Sequence, residues 1–198
     1  MTSAGVTEAK AALRRQLAEL PHPNWPPLLE RFLALPELEH ARTILLFYGV
    51  GREPDTRGLI TALLQRGKTV ALPRCLSGRR MEARIVTDLD DLAPGSFQIP
   101  EPGKHCPVVD RAEIDLILVP NLCCDKQGFR LGHGGGYYDR YLAGYVGVTV
   151  ALCPEDRLQE ELPREKFDLP VGLVLTETEL RRGAQSPAPH SEISFPLK

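Results

Sequence analysis

Short apolar runs that do not alternate with polar residues constrain this chain more than any other feature. They stand at 43–48, 69–72, 114–119, 148–152 and 171–175. A strand with one wet face alternates, so a run that is apolar throughout needs cover on both faces. The intervening segments carry helical spacing. Ala9, Leu13, Leu17 and Leu20 mark a helix over 6–20, Leu28, Leu29, Phe32 and Leu33 a second, and Leu59, Ile60, Leu63 and Leu64 a third. A further helix is expected over about 137–142. Strands alternating with helices predict an α/β fold, a three-layer, mostly parallel sheet with helices on both faces. A chain of 198 residues buries enough surface to fold without disulfides or a structural metal. Pro73 is read as ending the second strand, 84–86 as a weaker strand, and 88–108 as a long ordered loop. The domain is expected over 1–182, with 183–198 a flexible C-terminal tail.

Charge and cysteine usage exclude several classes. With 24 basic and 26 acidic residues the net charge is −2, so no nucleic-acid partner is expected. No run of about 18 apolar residues predicts a membrane span, and the first residues lack a signal-peptide pattern. The five cysteines, at 75, 106, 123, 124 and 153, form no CxxC pair and have no His or Cys at zinc-finger spacing. These features predict a reduced, cytoplasmic protein in which Cys123 and Cys124 are structural.

The densest chemical signal is RLGHGGGYYDR at 130–140. Gly132, Gly134, Gly135 and Gly136 follow a buried strand and open a helix. Free N–H groups at such a place favour an anion such as phosphate, and Arg130 and Arg140 flank them. His133 lies among the glycines and can touch the same phosphate. The sheet is Rossmann-like but has no GxGxxG fingerprint, because the sixth position counted from Gly132 is Tyr137; a Walker A triplet is also missing. A plain surface turn is the competing reading. Tyr137 and Tyr138 are suited to bracketing a planar ligand, and Asp139 to holding magnesium beside a phosphate loop. Lys10 and Arg14 share a face of the first helix with no acidic residue at ±3 or ±4, which suits either a bound anion or a solvated face. Glu53 and Asp55 follow the first strand, where ligands bind in open α/β sheets; Asp55 or Thr56 is equally suited to capping the next helix.

With these residues in place, the chain resembles the 5-formyltetrahydrofolate cyclo-ligase family, also called 5,10-methenyltetrahydrofolate synthetases. The run at 130–139 carries the likeness, supported in order by Lys10 with Arg14, Glu53 with Asp55, Leu72 to Arg74, GSFQIPEP at 95–102, and Asp168 with Pro170 and Val171. The resemblance covers roughly 10 to 177. It implies an ATP-dependent ligase of one-carbon metabolism that converts 5-formyltetrahydrofolate to 5,10-methenyltetrahydrofolate, releasing ADP and phosphate. Phosphorylation of the formyl oxygen is followed by ring closure from nitrogen-10. By the resemblance, Lys10, Arg14, Glu53 and Arg130 are catalytic. ATP is bound by Lys10, Arg14 and the stretch Arg130, Leu131, Gly132, His133, Gly134, Gly135, Gly136, Tyr137, Tyr138 and Asp139. The folate is bound by Glu53, Phe97, Gly134, Gly135, Gly136, Tyr137 and Tyr138, and magnesium by Asp139 and Asp168. A monomer is expected.

Three positions depart from the family pattern. Gly172 stands where many members carry a second Asp, Gln98 where a Gly often follows the aromatic, and Asn121 where Pro-Gly is common. Two alternatives are a non-catalytic folate-binding relative, marked by folate binding without ATP use, and a ligase for a non-folate substrate, marked by indifference to folates.

Overall fold

A computed structural model describes residues 2–183; the expected tail lies, from residue 184 on, outside them. The helices are α1 (Ser3–Glu19), α2 (Pro26–Leu33), α3 (Pro36–His40), α4 (Arg57–Gln65) and α5 (Tyr137–Leu142). The strands are β1 (Thr43–Leu45), β2 (Thr69–Leu76), β3 (Arg80–Val86), β4 (Leu92–Pro94), β5 (Pro100–Pro102), β6 (Val108–Val109) and β7 (Leu116–Leu118). After them come β8 (Cys123–Asp125), β9 (Arg130–Leu131), β10 (Val148–Leu152), β11 (Leu158–Gln159), β12 (Leu173–Leu175) and β13 (Leu180–Arg182).

The main sheet runs β13-β12-β10-β7-β1-β2-β3-β6. Its central strands, β12, β10, β7, β1 and β2, pair in parallel. Antiparallel strands β13, β3 and β6 extend its edges. Successive residues of the central strands point to opposite faces, and each face has its own core. Ile44, Leu46, Val70, Leu72, Leu116, Leu118, Val150 and Leu173 pack with Leu28 and Phe32 of α2, Leu38 of α3 and Ile60 and Leu63 of α4. Leu45, Ala71, Ile117, Val119, Ala151 and Val174 form the other core, with Leu142 of α5 and the tyrosines around it. The three-layer expectation therefore holds, and the unbroken apolar runs are the strands enclosed between the layers.

Several boundaries differ from the sequence reading. Pro73 does not end β2, which continues to Leu76 in antiparallel register with β3. Pro73 lies past Ala71, the last β2 residue in register with β1, so the strand has one neighbour there and tolerates a missing N–H. The 88–108 segment holds the β4–β5 hairpin rather than being a plain loop. Of the two proposed caps Asp55 serves α4: its Oδ1 accepts from the N–H of Arg57, the first residue of the helix, at 3.1 Å. Thr56 precedes the helix, but its buried hydroxyl donates to Phe47 O at 2.5 Å and accepts from Gly49 N at 3.0 Å, tying together the two ends of the turn. The Asp55 carboxylate also pairs with the Arg57 guanidinium. The helix α3 and the edge strand β13 have no counterpart in the sequence reading.

A second, smaller sheet, β11-β8-β9, rests beside the first. Here α1 docks: Leu17 packs with Cys123, Leu131 and Leu162, joined by Leu13, Leu20 and Phe129. The small sheet is held by Asp125, whose carboxylate is 0% exposed. Its Oδ1 accepts from the backbone of Gln127 and Phe129, and its Oδ2 from Leu162 N and Arg164. The Arg164 guanidinium also lies 4.1 Å over the Phe129 ring. Removing one partner of a buried charge pair leaves the other uncompensated, at a cost of about 3–5 kcal/mol. Asp125→Ala is therefore expected to lower the urea-unfolding free energy by about that amount; a loss under about 1 kcal/mol, the scale of an exposed pair, would contradict this account.

Candidate active site

The parallel strands follow the spatial order β2-β1-β7-β10-β12, so the chain reverses its direction of winding between β1 and β7. Open α/β sheets bind ligands outside the carboxyl ends of the strands at such a switch. The turn bearing Glu53 leaves the end of β1, and the segment leading to the glycine loop leaves the end of β7. Asn121 braces the second: its buried amide donates to Leu152 O at 3.0 Å, tying the ends of β7 and β10 together. Trp25 Nε1 and the Arg52 guanidinium brace the first, donating respectively to Arg52 O and to Pro21 O.

The glycine loop connects β9 to α5. Gly134 has φ +96° and Gly136, which precedes α5, has φ +67°, backbone conformations that L side chains seldom adopt. A Cβ on Gly134 would sit 3.3 Å from Arg14 Nη2, so the loop lies directly under that guanidinium. Arg14 donates from Nε to Gly132 O at 2.8 Å. It has no carboxylate partner among the described residues, and its terminal nitrogens make no protein hydrogen bond. The result is a fixed guanidinium over a glycine loop with its donor edge uncommitted, an arrangement suited to an oxyanion.

Of the other cations, Lys10 and Arg130 are already paired, whereas Arg140 donates to Gly136 O at 2.9 Å and has no carboxylate partner among the described residues. Lys10 Nζ lies 2.5 Å from Asp168 Oδ2 and 3.9 Å from Glu165 Oε2, and Glu165 N donates to the same Asp168 oxygen at 2.7 Å. Lys10 was uncompensated only along its own helix; its carboxylates come from the far end of the chain. Buried Arg130 donates to Asp139 Oδ1 at 3.0 Å. Asp139 and Asp168 thus sit in separate ion pairs, each with its second oxygen free of donors among the described residues. Leu131 is buried in the α1 contact, so through its side chain it serves packing.

Glu53 and His133 meet across the switch, with His133 Nε2 3.4 Å from Glu53 Oε1, while Glu53 Oε2 accepts from Val50 N at 3.1 Å. This contact raises the His133 pKa above its ordinary value, against the opposing effect of burial. Tyr138 is enclosed, its hydroxyl without a partner and its pKa raised by burial. Phe97 is 74% exposed at the tip of the β4–β5 hairpin and stands edge-on to Tyr137, ring centroids 6.4 Å apart. Both Phe97 (φ +58°) and Gln98 (φ +61°) are left-handed, a strain that persists where surrounding structure enforces it.

Sequence reasoning missed what enforces it. Buried Glu101 accepts from Ser96 N at 3.2 Å beneath the hairpin tip. Beside it, burial and then Glu101 push the Cys75 thiol up to about 11. A carboxylate set between Pro100 and Pro102 was the available signal.

A family model described as the 5-formyltetrahydrofolate cyclo-ligase family matches residues 6–177. The chain belongs to that family. It is accordingly a ligase, and every site residue named above lies within the matched span. A 5-formyltetrahydrofolate cyclo-ligase of Mycolicibacterium smegmatis is 35% identical over 145 residues, covering 68% of this chain and 73% of the relative. One of Escherichia coli is 30% identical over 156 residues, covering 76% and 86%. Among solved structures, a 5,10-methenyltetrahydrofolate synthetase of Aquifex aeolicus superposes with TM-score 0.78 at 27% identity, covering 94% of this chain and 99% of that one. One of Mycoplasma pneumoniae, at 16% identity and TM-score 0.65, covers 85% and 96% and shares the fold.

Because the Glu53 contact favours the protonated ring, His133 in this cyclo-ligase is expected to titrate above 6.5 by NMR, and Glu53→Gln to move the midpoint down. The pair's contribution to stability is present below the unfolded-state value and lost as pH rises through the folded one. A His133 midpoint unmoved by the substitution would contradict the assignment.

Proposed function

We propose that this chain converts 5-formyltetrahydrofolate to 5,10-methenyltetrahydrofolate at the expense of ATP, in the crevice beyond β1 and β7. Family membership supports the reaction; the guanidinium of Arg14, held over the glycine loop without a carboxylate, is the observation that carries the site. An amide oxygen is a poor leaving group. Transfer of the γ-phosphoryl group of ATP to the formyl oxygen breaks the bond to ADP. Nitrogen-10 then attacks the activated carbon and loses its proton, and the carbon–oxygen bond breaks with release of phosphate. Little of this needs covalent help from the protein, so the task is positioning and charge stabilisation.

In this reading Arg14 binds the triphosphate together with the backbone of Gly132, His133, Gly134, Gly135 and Gly136. Lys10 and Arg130 join them at the rim, oriented in advance by Asp168 and Asp139. Glu53, oriented by Val50 N, takes donors of the folate, and Phe97, Tyr137 and Tyr138 line the slot for its flat ring. Asp139 and Asp168 are the residues that would hold magnesium, which binds few carboxylates and keeps several waters; each keeps one oxygen uncommitted among the described residues. When bound it would neutralise charge on the phosphates. The five free cysteines suit a reducing cytoplasm. No helix among the described residues is long and apolar enough to cross a membrane.

The assay is the near-ultraviolet absorbance of the methenyl product, which is expected to rise only when ATP, magnesium and 5-formyltetrahydrofolate are all present. Arg14→Ala should lower kcat/KM by about 10²–10³-fold, the usual cost of a donor to developing negative charge, with circular dichroism and urea midpoint unchanged. Gly134→Ala, which presses a Cβ toward Arg14 at a left-handed position, should raise the KM for ATP. Turnover without ATP, or an unimpaired Arg14→Ala enzyme, would overturn the reading.

A further inference from the structure

Outside the crevice, Asp91, His105 and Cys106 bring one potential ligand atom each to within 4.8 Å of one another. We propose that these three residues bind a zinc ion, which clips together the base of the hairpin whose tip carries Phe97.

The geometry carries the argument. His105 Nε2 lies 3.2 Å from Asp91 Oδ1 and 3.5 Å from Cys106 Sγ. In a tetrahedral zinc site with bonds of about 2.0 Å to N and O and 2.3 Å to S, ligand atoms stand about 3.3 Å (N to O) and 3.5 Å (N to S) apart. Two edges of a zinc tetrahedron are therefore already in place.

The surroundings fit as well. Asp91 Oδ2 accepts from Thr87 N, Thr87 Oγ1 and Asp88 N, which locks the carboxylate and turns Oδ1 toward the histidine; ligating carboxylates are oriented in this way by outer partners. These bonds, led by the one from Thr87 N and joined by His105, keep Asp91 ionised, with a pKa of about 2. Cys106 is buried, and both burial and the Asp91 charge raise its thiol pKa. A cation here would reverse that repulsion. His105 is exposed, which leaves the approach and a fourth coordination position to water. A thiol, an imidazole and one carboxylate select zinc over magnesium.

The position gives the site its consequence. Asp91 directly precedes β4, and His105 and Cys106 follow β5, so the ligands span the two ends of the hairpin. No local spacing announces such a site, because Asp91 and His105 are neighbours only once the hairpin has formed. Binding would convert the Cys106 thiol to a zinc-bound thiolate and release its proton to the buffer.

The test titrates zinc into chelator-stripped full-length protein with magnesium saturating, and repeats the titration with cobalt(II). One zinc per chain is expected with Kd about 10 μM or tighter, tightening as pH rises. Cobalt should give a near-ultraviolet thiolate charge-transfer band that persists in Cys75→Ser and Asp139→Asn and vanishes in Cys106→Ser. His105→Ala alters an exposed residue and should keep the fold while weakening zinc at least tenfold. No stoichiometric uptake by wild type, or wild-type affinity retained in both His105→Ala and Cys106→Ser, would overturn the proposal. Loss of zinc in Asp139→Asn with retention in His105→Ala would move the metal to the crevice and overturn it equally.

Discussion

Asp125 buries its carboxylate completely and satisfies it with donors from two segments more than thirty residues apart. A buried charge without partners costs several kcal/mol, so this carboxylate forces the 127–129 turn and the 162–164 strand exit into one arrangement. That arrangement fixes the small sheet, and α1 rests on it through Leu17, which meets Cys123, Leu131 and Leu162. The same helix carries Lys10 and Arg14. The distance between the Arg14 guanidinium and the glycine loop is therefore set by packing around Asp125, away from the crevice itself.

Charge is distributed with a purpose around that loop. Lys10 and Arg130 each hold a carboxylate, which orients them without ligand. Arg14 does not; among the described residues its side chain bonds to the Gly132 carbonyl alone. In the proposed reading a triphosphate would meet Arg14 and Arg140, which hold no carboxylate among the described residues, and then Lys10 and Arg130, whose carboxylate partners would hold the metal. Across the crevice, a strained aromatic tip rests on Glu101, and the Asp91, His105 and Cys106 cluster lies at the base of the same hairpin. Rigid support beneath both walls is what phosphoryl transfer by positioning demands.

Much of this was legible in the sequence. The central strands were visible because enclosure between two layers requires apolar residues at every position. The glycine loop and its helix were visible because left-handed backbone at Gly134 and Gly136 requires glycine. Features decided by tertiary contact were not. Helical-neighbour logic left Lys10 unpaired, since Asp168 lies 158 residues away. Pro73 was misread as an ending because only the fold shows that β2 has lost one neighbour there. Thr56 looked like a cap, but its hydroxyl was needed by Phe47 O. The short elements α3 and β13 carry too few residues for a period. The left-handed Gln98 runs against local preference, and Glu101, which holds the neighbouring Ser96 N–H, sits on the other arm of the hairpin.

The central claim is that the crevice directs the phosphoryl group onto the formyl oxygen. The most direct measurement follows that oxygen. Substrate labelled with oxygen-18 in the formyl group should yield inorganic phosphate carrying one labelled oxygen per turnover, because the carbon–oxygen bond breaks after the phosphorus–oxygen bond has formed. Unlabelled phosphate, with the label appearing in water, would show that the formyl oxygen never bears the phosphoryl group and would contradict the account.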